Sequence, residues 1–182
     1  MRKFNAVLSM TIFALFLFHV IVGSFTLFGF TEGGSAVMQI VTWVMLLAVC
    51  VHAVIGIKLT IDTLTAIRKS GANYFKENKL FWVRRISGFA VMLFIISHII
   101  IFMGHNGADG YRLNLFDVPQ LILSVLLVLT LVLHIVTNIR PLMTALGARS
   151  GMALIGDIAF VLSVVLFAAG IAFVVYFVSW SV

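Results

Sequence analysis

Charged side chains are scarce in this sequence of 182 residues, where Asp, Glu, Lys and Arg together make up only 10%. A soluble domain usually carries about a quarter of charged residues, so this chain has too little polar surface to cover a fold in water. Apolar residues make up 63% of the sequence, and the mean hydropathy is +1.21. The composition therefore excludes a soluble domain and predicts an integral membrane protein.

Cysteine and acidic residues are also rare. Cys50 is the only cysteine, which excludes a disulfide framework and a thiolate-bound iron–sulfur cluster in this chain. We expect it to pack as a small apolar residue in the middle of a helix. None of the six acidic residues lies mid-membrane, where proton-driven transporters usually keep a carboxylate and where a catalytic triad would need one.

Five long apolar runs predict an all-α bundle of five transmembrane helices. Each run reaches roughly 27 Å or more at 1.5 Å per residue, close to the thickness of the hydrocarbon core. The loops are too short for a second, soluble domain, so we expect one transmembrane domain over residues 1–182. The predicted helices cover residues 6–30, 36–67, 83–104, 118–140 and 152–180.

Basic residues concentrate on one side of the predicted bundle. With the N-terminus in the cytoplasm, every Lys and Arg except Arg112 falls on the inner side, as the positive-inside rule requires. The C-terminus then lies outside, with Tyr176 and Trp180 at the interface. The net charge of +6 is explained by topology and needs no nucleic-acid partner. A bacterial inner membrane is the natural setting, and the basic segment 58–85 suits lipid phosphates and a peripheral partner equally well.

Histidine is the informative residue inside the apolar runs. Four of the five histidines lie there, one in each of the first four predicted helices: His19, His52, His98 and His134. Ionisable groups inside a membrane are costly and tend to be functional, although a single imidazole can also satisfy itself on a neighbouring helix. The fifth, His105, falls in a polar outer loop, where we expect a residue of the surface or of a binding pocket and not a metal ligand.

Helix positions divide these four histidines between two levels. His52 and His134 each precede a basic residue by six positions, which places them roughly 9 Å from the inner charges, at the inner level. His19 and His98 lie roughly 20 Å from those charges, at the outer level. Two imidazoles that face each other from neighbouring helices supply the axial ligands of a six-coordinate haem iron, so the pattern predicts two stacked haems.

Small residues near the histidines would give a porphyrin room. Gly23 and Gly56 follow the first two histidines by one helical turn, and Ser97, Gly88 and Thr130 offer similar room on the other helices. Small residues also favour bare helix packing, so this support is limited. A zinc or copper site would need its ligands at one level, which this sequence does not offer.

With these features the chain resembles the two-haem cytochrome b membrane anchor of succinate dehydrogenases and fumarate reductases. The resemblance covers essentially the whole chain. It comprises five helices, one histidine in each of the first four, and "FWVRRISGF" leading into "ISHI", which is similar to the family's basic-Ser/Thr-Gly opening of the third helix. It implies that His19 and His98 hold the iron of an outer haem b, and His52 and His134 that of an inner haem b.

The resemblance also implies the partners of the chain. A flavoprotein subunit with covalent FAD would carry the dicarboxylate chemistry, and an iron–sulfur subunit would pass electrons to the inner haem, both on the cytoplasmic face. This chain would be the electron-transfer subunit of a respiratory complex that reacts with a quinone, expected to be menaquinone. The direction of the reaction and any higher oligomer of the complex stay open.

Further residues are candidates for proton transfer or for binding of the haem propionates because of their positions in the sequence. Glu32 is a candidate proton acceptor in quinol chemistry, or else a solvated turn residue in "TEGGS". Candidate donors to haem propionates, each of which also suits an interfacial anchor, are Trp82, Arg84, Arg85, Ser87 and Arg140 for the inner haem and Arg112 for the outer haem. Val132 stands two residues before His134, where some two-haem members keep a glutamate that is implicated in proton movement.

Three alternatives stay open from the sequence. The chain could be the cytochrome b subunit of another membrane oxidoreductase, such as a hydrogenase or a formate dehydrogenase. It could be a haem-free anchor in which the histidines only join helices, or a small transporter that uses them for protons. Cytochromes of the bc type and the nitrate-reductase type place two histidines on one helix, which this sequence does not do inside a span.

Overall fold

The computed structural model describes residues 1–70, 78–103, 105–107, 110–113, 116–147 and 152–180. Five helices account for nearly all of them. The helices are α1 (Arg2–Leu27), α2 (Ala36–Ser70), α3 (Lys79–Phe102), α4 (Val118–Ala145) and α5 (Met152–Trp180). Between α3 and α4, the short strands β1 (His105–Gly107) and β2 (Gly110–Arg112) pair antiparallel, in a segment that the sequence indicated only as a polar loop.

All five helices are long and apolar enough to cross a membrane, which confirms the predicted helical class of a multi-pass membrane protein. Their outward faces are apolar as well. Phe89 is 78% exposed and Phe167 is 71% exposed, which would be unfavourable in water but suits contact with lipid chains. Cys50 lies within α2, as expected, and its side chain is also exposed.

Local sequence signals fix the helix ends. Helix α1 ends at Leu27, earlier than the predicted residue 30, because Gly29 adopts a φ of +78°, in the left-handed region that stops a helix and favours glycine. Helix α3 starts after Asn78, whose side chain accepts a hydrogen bond of 3.1 Å from the Phe81 N–H. This contact satisfies one of the free N–H groups of the first turn, so the helix begins before the predicted residue 83.

Two helices organise the packing of the bundle. Helix α1 packs on α2, α5 and α4, and α4 packs on α3 and α5. Helix α5 carries no histidine but supplies the most deeply buried apolar side chains, among them Leu166 and Ala172. A core cluster of Leu27, Phe116, Ala172, Phe173 and Tyr176 closes the end of the bundle that faces the strands. We call this the hairpin end, and the opposite end, where Arg2, Lys58, Lys79 and Arg140 lie, the basic end.

Candidate functional site

The two outer-level histidines meet in the structure. The ring centres of His19 on α1 and His98 on α3 lie 6.1 Å apart, with the ring planes at 76°. Helices α1 and α3 are not a closely packed pair in the described part of the chain. The two imidazoles therefore reach towards each other across a gap between helices, in the pairing of first with third helix that the sequence indicates.

The two inner-level histidines also share a region. His134 on α4 lies within electrostatic range of His52 on α2, and both lie within such range of the Arg85 guanidinium on α3. The side chains of three helices thus converge near the basic end. This is the pairing of second with fourth helix that the sequence indicates.

Three of the four imidazoles bond a hydroxyl group of a neighbouring helix through Nδ1. The pairs are His19 with Thr42 at 3.3 Å, His52 with Ser9 at 3.2 Å, and His134 with Ser87 at 3.2 Å. Sequence reasoning missed Ser9 and Thr42 and placed Ser87 beside a propionate. The signal that could have found them is a Ser or Thr ten or eleven residues before a histidine on the same helix.

The same contacts measure the separation of the two levels. Ser9 and His19 are ten residues apart on α1, as are Thr42 and His52 on α2. At 1.5 Å per residue, ten residues span roughly 15 Å. Since each helix carries its hydroxyl at one level and its histidine at the other, the two histidine pairs lie roughly 15 Å apart along the bundle.

The hydroxyl contacts indicate which imidazole nitrogen carries the proton. Each hydroxyl donates its own proton to a carbonyl of its own helix; the acceptors are the carbonyls of Asn5, Met38 and Arg84, at 2.8, 2.8 and 3.2 Å. A hydroxyl that gives its proton to a carbonyl accepts from the imidazole, and this arrangement favours the tautomer with the proton on Nδ1. In this tautomer the hydroxyl contact of His19, His52 and His134 does not use the lone pair on Nε2, and this is the form that binds a metal.

His98 differs from the other three. Its Nδ1 is buried and has no hydrogen-bond partner among the described residues. The ring stacks on Phe102 instead, with centres 4.4 Å apart and planes at 29°, and it presents an edge to Phe173 at 6.4 Å. Aromatic contact thus holds this imidazole without a hydrogen bond at Nδ1 from the described part of the chain.

Gly88 fits closely against the inner level. A Cβ atom at this position would lie 3.0 Å from Cε1 and 3.3 Å from Nδ1 of His134. The sequence suggested that Gly88 leaves room for a porphyrin; in the structure it leaves room for the His134 imidazole. Gly23, in contrast, has no neighbouring atom within 4 Å of such a Cβ, so it leaves open space one turn beyond His19.

Arg84 joins α3 to α4 at the basic end. Its Nε donates a hydrogen bond of 2.7 Å to the Thr137 carbonyl. Pro141 lies inside α4, four residues later, and has no N–H to offer that carbonyl. The proline therefore leaves free the acceptor that Arg84 uses, and this bond holds the segment with Ser87 and Gly88 beside His134.

Arg85 joins α3 to α2 at the same level. Its Nη1 donates to the Gly56 carbonyl at 3.5 Å, and its guanidinium lies 5.1 Å from the centre of the Phe81 ring. Trp82 is half-buried and packs edge-on against Phe81, with centres 5.5 Å apart. Arg85 thus places a positive charge between the two inner histidines.

The remaining candidates take no part in these contacts as far as the structure describes them. Glu32 is exposed in the connection between α1 and α2, and Arg140 is exposed on α4. The backbone of Arg112 pairs with that of His105 in the hairpin, and the side chains of both lie outside the described residues. Ser97 and Thr130 donate their hydroxyl protons to carbonyls of their own helices.

Paired imidazoles with free Nε2 atoms can hold an iron between them. A metal–nitrogen bond is about 2.0 Å long, so two imidazoles that shared one metal ion would have their ring centres roughly 6 Å apart. The outer pair has this separation, at 6.1 Å. No three His, Cys, Asp or Glu side chains come together as metal ligands in the described ranges, so a metal ion would need other donors, as a porphyrin provides.

Comparison of the chain with protein-family models, with curated proteins and with solved structures finds no match.

Proposed function

We propose that this chain is a dihaem cytochrome b, the membrane anchor of a succinate:quinone oxidoreductase that carries electrons between an iron–sulfur subunit and a quinone. The proposal rests mainly on two pairs of imidazoles at two levels, three of them in contact with a hydroxyl of a neighbouring helix through Nδ1, which favours Nε2 as the metal-binding atom. A haem-free anchor would need only one hydrogen bond per imidazole, with no reason for that bond to be on the same nitrogen each time.

The residues of the chain have distinct tasks in this proposal. His19 and His98 bind the outer haem, and His52 and His134 bind the inner haem. Haem b supplies a one-electron redox centre at each level. Two such centres roughly 15 Å apart along the bundle would divide a hydrocarbon core of about 30 Å into shorter steps.

The charge distribution supports an orientation. The basic end carries nearly all Lys and Arg residues, so by the positive-inside rule it faces the cytoplasm of a bacterial inner membrane, with the C-terminus outside. The inner haem then lies next to the face on which flavoprotein and iron–sulfur subunits would dock. In this proposal Arg85 and Trp82 are donors to the propionates of that haem.

The quinone would react near the hairpin end, beside the outer haem. Glu32 is exposed in the connection after α1, where a carboxylate can take up a proton from quinol. Its assignment, and that of menaquinone, rests on the resemblance to the family. FAD and iron–sulfur clusters belong to the partner subunits in this proposal.

Absorbance spectroscopy tests the haem content directly. The difference spectrum of the purified protein, dithionite-reduced minus air-oxidised, should show a b-type α-band, and the pyridine haemochrome assay should count about two haems per chain. A colourless protein from cells with ample haem would overturn the proposal. Co-purified subunits that reduce the haems with succinate would support this complex, whereas reduction by hydrogen or formate alone would assign the chain to another oxidoreductase.

A further inference from the structure

The four histidine-bearing helices form two similar pairs of neighbouring helices, α1 with α2 and α3 with α4. In the pair of α1 and α2, each helix supplies a hydroxyl to the histidine of the other: Ser9 contacts His52, and Thr42 contacts His19. In the pair of α3 and α4, Ser87 contacts His134 in the same way. The fourth contact of the pattern would join His98 to a hydroxyl on α4.

Ser124 lies at the position on α4 where the fourth hydroxyl is expected. It precedes His134 by ten residues, as Thr42 precedes His52 on the equivalent helix of the other helix pair. Its side chain is only 2% exposed, a burial that is unusual for serine and calls for a partner. Its Oγ donates to the Gln120 carbonyl at 2.9 Å, so the oxygen is left as an acceptor, as in the other three hydroxyls.

The level of Ser124 matches that of His98. Starting from the contact between Ser87 and His134, α3 runs eleven residues to His98, and α4 runs ten residues back to Ser124. The helices are antiparallel neighbours and rise 1.5 Å per residue, so the two side chains lie within about 2 Å of the same level.

The face of α4 that carries Ser124 also suits a contact with His98. Leu121 and Val128 lie one turn before and one turn after Ser124, on the same side of the helix. Both pack against the core cluster at the hairpin end, as does Phe102, on which the His98 ring stacks. Ser124 is thus buried on the face of α4 that packs against the same core cluster as Phe102, the residue on which His98 stacks.

We propose that Ser124 is the fourth positioning hydroxyl, whose Oγ accepts a hydrogen bond from Nδ1–H of His98 when the outer haem is bound. This inference rests on the proposed haem binding. It gives a partner to the buried Nδ1 of His98 and leaves Nε2 free for iron, as in the other three histidines.

Loss of this bond should change the redox behaviour of one haem only. An imidazole that donates through Nδ1 is a stronger ligand and favours ferric iron. Ser124→Ala should therefore lower the ratio of ferric to ferrous affinity of the outer haem about ten-fold. A ten-fold change corresponds to a midpoint potential raised by about 59 mV for a one-electron couple.

The experiment is a redox titration of the purified haem-loaded protein, read at the α-band and by the electron paramagnetic resonance of the two ferric haems. Ser124→Ala and Thr42→Ala should shift the same haem, whereas Ser9→Ala and Ser87→Ala should shift the other. Ser124→Thr keeps an acceptor oxygen and should restore the wild-type potential. Ser163→Ala, on α5, is the matched control, since its exposed hydroxyl also bonds only its own helix, at the Ala159 carbonyl.

The outcomes separate the two proposals. Unchanged potentials and resonance signals in Ser124→Ala, as in Ser163→Ala, would overturn the role of Ser124 while the haem proposal stands. A shift of the haem that Ser9→Ala affects would also overturn it. If Ser124→Ala does not accumulate, Ser124→Cys tests the same point, because it nearly keeps the side-chain size and sulfur accepts weakly. A wild type without haem would overturn the proposed function itself.

Discussion

Arg84 Nε and the Thr137 carbonyl oxygen lie 2.7 Å apart, and Pro141 is the reason that this oxygen is available. In an uninterrupted helix the N–H of residue 141 would bond the carbonyl of residue 137. Proline has no N–H, so the carbonyl turns to α3 instead. A break in one helix thus becomes a bond between two helices at the level of the inner histidines.

A double-mutant cycle should show this dependence. Arg84→Met leaves the Thr137 carbonyl without a donor and should lower the free energy of unfolding by about 1–3 kcal/mol. In a Pro141→Ala background the alanine N–H can bond that carbonyl, so Arg84→Met should cost clearly less. Equilibrium unfolding in detergent measures all four proteins. Equal effects of Arg84→Met in both backgrounds would contradict the role assigned to Pro141.

The fit of Gly88 against His134 predicts a selective loss of the inner haem. Gly88→Ala puts a methyl group 3.0 Å from Cε1 of His134, which must then move away from its position between the helices. We expect the haem content to fall to about one per chain, with affinity for the inner haem reduced at least ten-fold. The pyridine haemochrome assay measures it.

The matched control for Gly88 is Gly170→Ala on α5, where no atom lies within 4 Å of the added Cβ. This variant should keep the wild-type haem content, because it makes the same chemical change in open space. Equal haem contents in the two variants would show that His134 adapts to the methyl group and that Gly88 does not position it.

Single histidine changes should remove different haems. His98→Ala takes one imidazole from the outer pair and should abolish the outer haem, and His52→Ala should abolish the inner one. Each variant should lose about half of the α-band and retain one of the two midpoint potentials. His105→Ala, in the hairpin, should keep both haems. Loss of both haems from every variant, including His105→Ala, would indicate a folding defect instead of separate sites.

The fold and the histidine levels were readable from the sequence for simple physical reasons. The hydrocarbon core sets the length of a spanning run, and a rise of 1.5 Å per residue converts the position of His19 or His134 into a depth. The hydroxyl contacts were not readable in this way. Serine and threonine in apolar helices usually bond a carbonyl of their own helix, so the ten-residue spacing from Ser9 to His19 and from Thr42 to His52 gains its meaning only once the neighbouring helix is in place.

The short strands were missed for another reason. Residues 105–107 and 110–112 are polar and rich in glycine, and three residues are too few to show the alternation that marks a strand. The bond from Arg84 to Thr137 also depends on two helices that are distant in sequence. Pro141 alone predicts a free carbonyl but not the donor that will use it.

Arg85 should set the potential of the inner haem through its charge. The guanidinium lies within electrostatic range of both His52 and His134, and a fixed positive charge favours the reduced form of a nearby iron. Arg85→Gln removes this charge and keeps a donor for the Gly56 carbonyl. The midpoint potential of the inner haem should then fall by an amount equivalent to on the order of 1–2 kcal/mol at an effective dielectric constant near 20.

Arg85→Lys is the control, because it keeps the charge and should hold the potential closer to the wild type. Redox titration of both variants at the α-band measures the effect, and the outer haem should stay at its wild-type potential, since it lies roughly 15 Å further along the bundle, where the charge acts more weakly. A fall of the same size in both variants would assign the effect to the shape and hydrogen bonds of the guanidinium. Equal falls at both haems would contradict the placement of Arg85 at the inner level.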